Sequence, residues 1–328
     1  MPQTSTGDTA GFESMRGELT GYCYRMLGSP FEAEDAVQET MIRAWRARDR
    51  YDERRGSPRT WLYAIATNVC LDMLRGARRR ALAMDLGPAA EAATGLGAAA
   101  PEHTWVLPAP DSRLLPADAS PEQLVVQRET LRLAFVAALA HLPPRQRAVL
   151  ILRDVLCWRA PEVAALLGCG VAAVTSALQR ARATLRAVAP APSQPLLPLD
   201  DTQRTLLAGY CAAFERHDVD ALVALLHTDA TMSMPPLRWW LRGRDRIRAA
   251  LLDPAGSCAG ARLVPTAANG QPAFWQTRPA LDGHHTPFAL VLLDVAGDRV
   301  TGITTFLDVR RLLPLFGAAT VAGAASTR

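Results

Sequence analysis

The sequence predicts a multidomain chain in which two all-α domains are followed by an α+β domain. Three observations carry this. Over residues 12–80, and again over 120–185, apolar side chains recur at spacings of three and four, the period of an amphipathic helix. Two stretches, 81–119 and 190–199, lose that period and fill with Ala, Gly and Pro. From about residue 200, helical segments give way to short β-like runs. The resulting division is a helical domain at 1–80, a flexible linker at 81–119, a second helical domain at 120–189, a short linker at 190–199 and the α+β domain at 200–328. A chain of 328 residues is long enough for three such cores.

In the first domain, Leu19, Tyr22, Cys23, Met26 and Leu27 form one helical stripe that ends at Gly28-Ser29-Pro30. A second helix over 32–48 turns Ala33, Ala36, Val37, Thr40, Met41, Ala44 and Trp45 inward and carries Glu34, Asp35, Gln38 and Glu39 near its start. Acids at a helix N-terminus suit its dipole, and a compact acidic face equally suits a basic protein partner. After a polar turn at 49–58, Trp61, Leu62, Ile65, Ala66, Val69 and Leu74 are placed to pack a core. Along the other side lie Arg59, Tyr63, Asn68, Asp72, Arg75, Arg78, Arg79 and Arg80. Aromatic faces beside Arg are what single-stranded DNA binding uses, whereas simple burial is the plainer role for Trp61 and Tyr63.

The second domain opens at Ser120-Pro121-Glu122, an N-cap followed by Pro at the first helical position, and runs through Leu124, Leu131, Phe135 and Leu139. A short helix at 161–167 stops at Gly168. Beyond it, Val171, Val174, Leu178, Ala181 and Leu185 share one face, with Ser176, Gln179, Arg180 and Arg186 opposite. Two helices around a tight Gly-containing turn form a helix-turn-helix, whose second helix fits a DNA major groove. An ordinary helical corner with a solvated Arg face is the alternative. Charge favours DNA: over 139–189, Arg145, Arg147, Arg153, Arg159, Arg180, Arg182 and Arg186 outnumber Asp154 and Glu162, although the whole chain is only +4.

The α+β domain begins with helices at 202–216 and 219–226, divided by His217-Asp218 with Asp218 as cap. Strand-like runs follow at 230–234, 287–295 and 300–309, the last two joined at Gly297-Asp298, with a helix at 244–252 between. The Ala/Gly-rich end from residue 317 is expected to fray. No stretch supplies about 18 uninterrupted apolar residues, so no membrane span is expected. The N-terminus lacks a signal-peptide pattern, and the chain is expected in the cytoplasm. Six cysteines, Cys23, Cys70, Cys157, Cys169, Cys211 and Cys258, are scattered singly and read as buried free thiols. There is no lysine, so every one of the 36 basic residues is Arg.

Four segments taken together, AEDAVQETMIRAW (33–45), WLYAIATNVCLDMLR (61–75), LPPRQRAVL (142–150) and EVAALLGCGVAAVTSALQRAR (162–182), resemble regions 2 and 4 of the extracytoplasmic-function (ECF) subfamily of sigma-70 RNA polymerase sigma factors. The third domain resembles the SnoaL-like, NTF2-like fold, and the layout is similar to the SigG-like group of these factors. The resemblance implies that the chain binds core RNA polymerase and directs promoter-specific transcription initiation. Glu34, Asp35, Gln38 and Glu39 would dock on the polymerase. Arg59, Trp61, Tyr63, Asn68, Asp72, Arg75, Arg78, Arg79 and Arg80 would capture and open the promoter −10 element. Ser176, Gln179, Arg180, Arg182 and Arg186 would meet the −35 element, where Arg and Gln can pair bidentately with guanine and adenine. The sequence departs from the family in two places. Gly168-Cys169-Gly170 offers no Ser or Thr to cap the recognition helix, and the first linker exceeds the family's minimum.

SnoaL-like domains enclose a conical pocket, and some are isomerases or cyclases working through Asp/His pairs. The candidates here are His217, Asp218, Asp220, His227 and Asp229, with Trp239, Trp240 and Trp275 as apolar walls. Plainer roles exist for each: Asp218 as a helix cap and His227-Thr228-Asp229 as a turn. His284-His285 without a third ligand makes a poor metal site. No catalytic residue, metal or cofactor is therefore expected, and the domain is expected to regulate. A small-molecule ligand of its pocket and an anti-sigma factor are partners the resemblance allows. Two further functions fit parts of the chain: a helix-turn-helix regulator acting without polymerase, and a SnoaL-type isomerase with DNA-binding appendages.

Overall fold

The computed structural model describes residues 12–52, 56–77, 79–91, 95–115, 120–188, 201–253, 258–280 and 284–317. They divide into two compact units, Met1–Arg80 with Ser112–Pro190, and Ala81–Asp111 with Ala191–Arg328. The expected linker at 190–199, the frayed end beyond 317 and Arg78 lie outside the described residues.

The first unit is helical. Helix α1 (Arg16–Leu27) buries the predicted stripe and also Thr20, Tyr24 and Arg25, so it is enclosed on all sides. Helix α2 (Pro30–Ala47) starts at Ser29, whose hydroxyl accepts the Glu32 N–H at 3.4 Å, with Pro30 at its first turn. Ala33, Ala36, Val37, Thr40 and Ala44 face inward. Trp45 does not: one residue past Ala44 the helix has turned about 100°, leaving the indole 56% exposed beneath the Arg48 guanidinium. Helix α3 (Pro58–Met73) is capped by Ser57 and buries Leu62, Tyr63, Ala66, Thr67, Val69 and Cys70. Its inner face is thus rotated from the expected one, because Tyr63 and Thr67 pack against α1. The Tyr22 and Thr67 hydroxyls lie 2.8 Å apart, and the Tyr22 and Tyr63 rings meet edge to face at 5.2 Å.

The helix expected to run on from Ser120 is broken into α4 (Pro121–Glu129) and α5 (Leu133–Leu139). Helix α6 (Pro144–Leu150) continues into a π turn over Ile151–Val155. Helices α7 (Ala160–Leu167) and α8 (Val171–Val188) cross at 101° around Gly168, which takes the left-handed conformation at φ 61° that the sharp reversal requires. Val174, Leu178 and Ala181 are buried as expected, whereas Val171 is exposed at the helix entrance.

The second unit is a mixed six-stranded sheet in the order β2-β1-β6-β5-β4-β3, with β1 (Leu226–Ser233), β2 (Trp240–Arg242), β3 (Arg262–Ala268), β4 (Gln271–Pro279), β5 (His285–Ala296) and β6 (Arg299–Phe306). Strands β1 and β6 are parallel and the other neighbours antiparallel. Helices α9 (Asp201–Glu215), α10 (Val219–Ala224) and α11 (Arg244–Leu251) join the sheet in one apolar core through Leu206, Tyr210, Leu222, Ile247, Phe274 and Val291. A terminal helix α12 (Val309–Phe316) brings Phe316 against the buried Trp275, with ring centroids 5.4 Å apart.

Residues 81–111, expected as part of a flexible linker, belong to this second unit. Trp105, Val106, Leu107 and Ala109 are buried. Backbone groups hold the segment: Ala90 N–H donates to Trp240 C=O at 2.8 Å and Ala100 N–H to Pro236 C=O at 2.8 Å. Ala109 exchanges bonds with Asn269, donating to its Oδ1 at 2.8 Å and accepting from its N–H at 3.1 Å. Trp240 Nε1 donates to Gly87 C=O at 3.0 Å, and Glu102 pairs with Arg311.

Candidate functional site

Three surfaces carry the chemistry. On α2, residues 34, 35, 38 and 39 share one side. Asp35 and Gln38 are exposed, while Glu34 and Glu39 are half-buried beside Arg16 at 3.4 Å and Arg43 at 2.6 Å. Exposed Ile42 and Trp45 lie a turn further along, an apolar patch beside the acids that the inward assignment of Trp45 had concealed.

On α3, Asn68, Asp72 and Arg75 are exposed, with Asp72 3.6 Å from Arg43 and 3.3 Å from Arg75. Arg79 is exposed and sits against the His141 ring. Trp61 is half-buried between the rings of Phe12 and Tyr51, at 5.9 and 5.0 Å. The fold buries two others of the expected set, Arg80 and Tyr63, and engages a third, Arg59, whose side chain stays 41% exposed. Arg80 is 7% exposed and bonded to Glu32 at 2.5 Å. Tyr63 is fully buried, packing at 5.1 Å on Trp158 and donating to Glu18 at 3.4 Å, and its burial raises the phenol's pKa. Arg59 stacks over both Tyr63 and Trp158 at 5.3 Å and donates to Glu18 at 3.0 Å. In this arrangement Tyr63 presents no face to a base, because the ring fills the space between α1 and Trp158.

On α8, Ser176, Gln179, Arg180, Arg182 and Arg186 are all exposed. The buried triplet Val174, Leu178 and Ala181 anchors the opposite side, so the polar side is held outward by packing. Arg182 is engaged bidentately by Asp154 at 2.8 and 2.7 Å. Helix α7 is fixed by Glu162, which accepts the Arg159 N–H at 2.7 Å; its pKa is lowered chiefly by hydrogen bonding to the Arg159 side chain.

The second unit contains an apolar cavity of about 520 Å³ walled by Tyr210, Phe214, Met234, Trp239, Phe288 and Ile303. Of the expected pocket residues only Trp239 lines it. His217, Asp220 and His227 are exposed, Asp220 being paired with Arg248 at 2.8 Å. Trp240 bonds Gly87, and Trp275 is buried against α12. Alternation along the strands explains this, since Phe274 faces the helices and its neighbour Trp275 the other side. Asp218 caps α10, accepting the Ala221 N–H at 3.0 Å, and so has the structural role the sequence offered. Among the described residues no histidine lines the main cavity, and no group of three or more His, Cys, Asp or Glu could hold a metal ion. Arg278 and Cys258, which do line it, were missed; both lie in a stretch without clear alternation.

An acidic helix, an outward Arg-bearing helix-turn-helix and a SnoaL-type sheet define a transcription factor of the sigma-70 class. Residues 12–80 match the sigma-70 region 2 family, 132–185 sigma-70 region 4 and 207–305 the SnoaL-like domain. The chain belongs to the ECF RNA polymerase sigma factors. It is 46% identical to the ECF RNA polymerase sigma factor SigG of Mycobacterium tuberculosis (strain H37Rv) over 308 residues, 93% of this chain and 82% of that one. It is 33% identical to SigJ of the same organism over 243 residues, 72% and 69% of the respective chains. The crystal structure of SigJ shares the fold at a TM-score of 0.60 and 23% identity, covering 91% of this chain and 95% of that one.

Proposed function

We propose that the chain binds core RNA polymerase and directs it to promoters bearing paired −10 and −35 elements, with the SnoaL-like unit regulating that activity. In this reading the α2 face of Glu34, Asp35, Gln38 and Glu39 docks on the polymerase. Asn68, Asp72, Arg75 and Arg79 on and after α3 engage the −10 element. Ser176, Gln179, Arg180 and Arg186 on α8 meet the −35 element. The observation that carries it is the outward polar face of α8 in the same chain as the exposed acidic side of α2: a stand-alone DNA reader has no use for the latter. Five N–H donors per Arg suit guanine edges and phosphates alike. The second unit is assigned a non-catalytic role, because the acid–base pairs considered do not line its cavity of about 520 Å³, and the small pocket that His217 and Asp218 do line, of about 10 Å³, is too small for a substrate. Run-off transcription with core polymerase tests the proposal. Promoter-specific initiation supports it, and DNA binding that needs no polymerase, without initiation, sinks it. Among the described residues no single helix is long and apolar enough to cross a membrane.

A further inference from the structure

The cavity of the second unit has walls that are mostly apolar, with Gln276, Thr305 and Asp253 as polar exceptions, and one cation that no carboxylate among the described residues pairs with. Arg278, on β4, lines it with its guanidinium over the Phe288 ring, 3.4 Å from the centroid. Its Nε is shielded from solvent and has no hydrogen-bond partner among the described residues. The Nε is closed off even from the cavity, so an incoming acid would meet the outer nitrogens of the guanidinium, a charge that no carboxylate among the described residues pairs with. Asp253, the acid on the same wall, is already engaged in an interaction of its own.

The cavity's rim includes Gly95 and Leu96. These residues come from the segment that joins the two helical modules in sequence. Gly95 and Gly97 adopt left-handed φ values of 83° and 71°, so the chain turns on both sides of Leu96 and holds it at the rim. Leu96 is nonetheless 42% exposed, which leaves its placement sensitive to what fills the space beneath.

We propose that this cavity is a sensing site for an apolar small molecule bearing a single acidic group, with Arg278 as the partner of the acid and Leu96 as part of the wall. The inference rests on the regulatory reading of the second unit and specifies it. A volume of about 520 Å³ suits a molecule of two or three fused or linked rings, or a medium-length acyl chain. A ligand seated there contacts the inter-module segment directly, so occupancy biases whichever arrangement of Gly95–Leu96 closes over it.

The test uses the full chain and two fluorescent probes of nearly equal shape, anionic 1-anilinonaphthalene-8-sulfonate and neutral N-phenyl-1-naphthylamine. The anion is expected to bind at one saturable site about tenfold more tightly than the neutral probe, the effect of one charge-assisted contact. Arg278→Met removes that preference and Arg278→Lys restores part of it, while Leu96→Asp weakens both probes. Saturating anion also slows chymotryptic cleavage after Leu96. Equal binding of the two probes by the wild-type protein overturns the acidic specificity, whatever the variants do. Cleavage unchanged at saturation overturns the role of Leu96. Run-off transcription by the probe-free protein keeps the two readings apart: initiation without probe binding removes only this inference.

Discussion

At the scale of single residues, buried Arg side chains hold the first unit together. Arg147 is 6% exposed and donates to the carbonyls of Met26, Ala140 and Leu142, tying the end of α1 to the α5–α6 turn. Burial draws its pKa from 12.5 to about 10. A base whose folded pKa is lowered gains stability only as pH rises through that window, so at neutral pH the charge is a cost that the carbonyl bonds offset. Arg147→Ala should therefore destabilise by about 2–4 kcal/mol, because three carbonyls lose a charged donor. Arg147→Met should cost less, and urea unfolding of the two variants checks the order. Cysteine was the residue type least legible in the sequence. Only Cys23 and Cys70 are buried, and Cys157 is exposed at φ 57°. Hydrogen bonding to Cys23, with burial, pushes the Cys70 thiol well above its usual value. A thiol reagent at pH 8 should modify Cys157 in the native protein and reach Cys70 only on unfolding, which mass spectrometry of labelled peptides would read.

At the scale of elements, α8 is where sequence and structure agree most fully, since three buried residues at helical spacing fix which side faces out. Gln179→Ala and Arg180→Ala should each weaken −35 binding by about tenfold or more, the cost of one bidentate base contact. Core polymerase affinity should not change; parallel gel-shift and polymerase pull-down assays separate the two, and loss of polymerase binding would contradict the assignment. Elsewhere the pattern was harder to read. The β3–β4 hairpin has Pro265 and Pro272 within its strands, which breaks the strand signature, and only Asn269-Gly270 marked the turn. Helix α12 was hidden because the run ending at 309 reads as one strand, while the structure ends β6 at Phe306 and starts a helix beyond Asp308. The inner face of α3 is rotated because Tyr63 and Thr67 pack on Tyr22 and Tyr63 also meets Trp158, contacts between distant segments that no local period can encode.

At the scale of the whole molecule, the segment 81–111 changes what the third domain can do. Its composition reads as a linker because much of its docking runs through backbone groups of Ala90, Ala100 and Ala109, which leave no side-chain signature, and its buried apolar run, Trp105 to Leu107, is too short to show a period. Held in the second unit, 81–111 cannot contribute its contour to the span between the two DNA-reading modules; released, each residue adds up to about 3.5 Å of reach. Reach matters because linked modules gain from one another only when the connection can span both sites. Asn269→Gly isolates this link: Gly accepts the left-handed backbone that Asn269 adopts at φ 57° while removing the Oδ1 that holds Ala109. The variant should cleave faster within 81–111 under limited chymotrypsin, keep the sheet's far-UV signal, and initiate more transcription from a paired promoter than the wild type. Truncation after Pro198 removes the docking surface altogether and should move transcription the same way by a larger factor. Transcription unchanged in both, with the segment demonstrably released, would mean that the second unit does not act through the connection between the two modules.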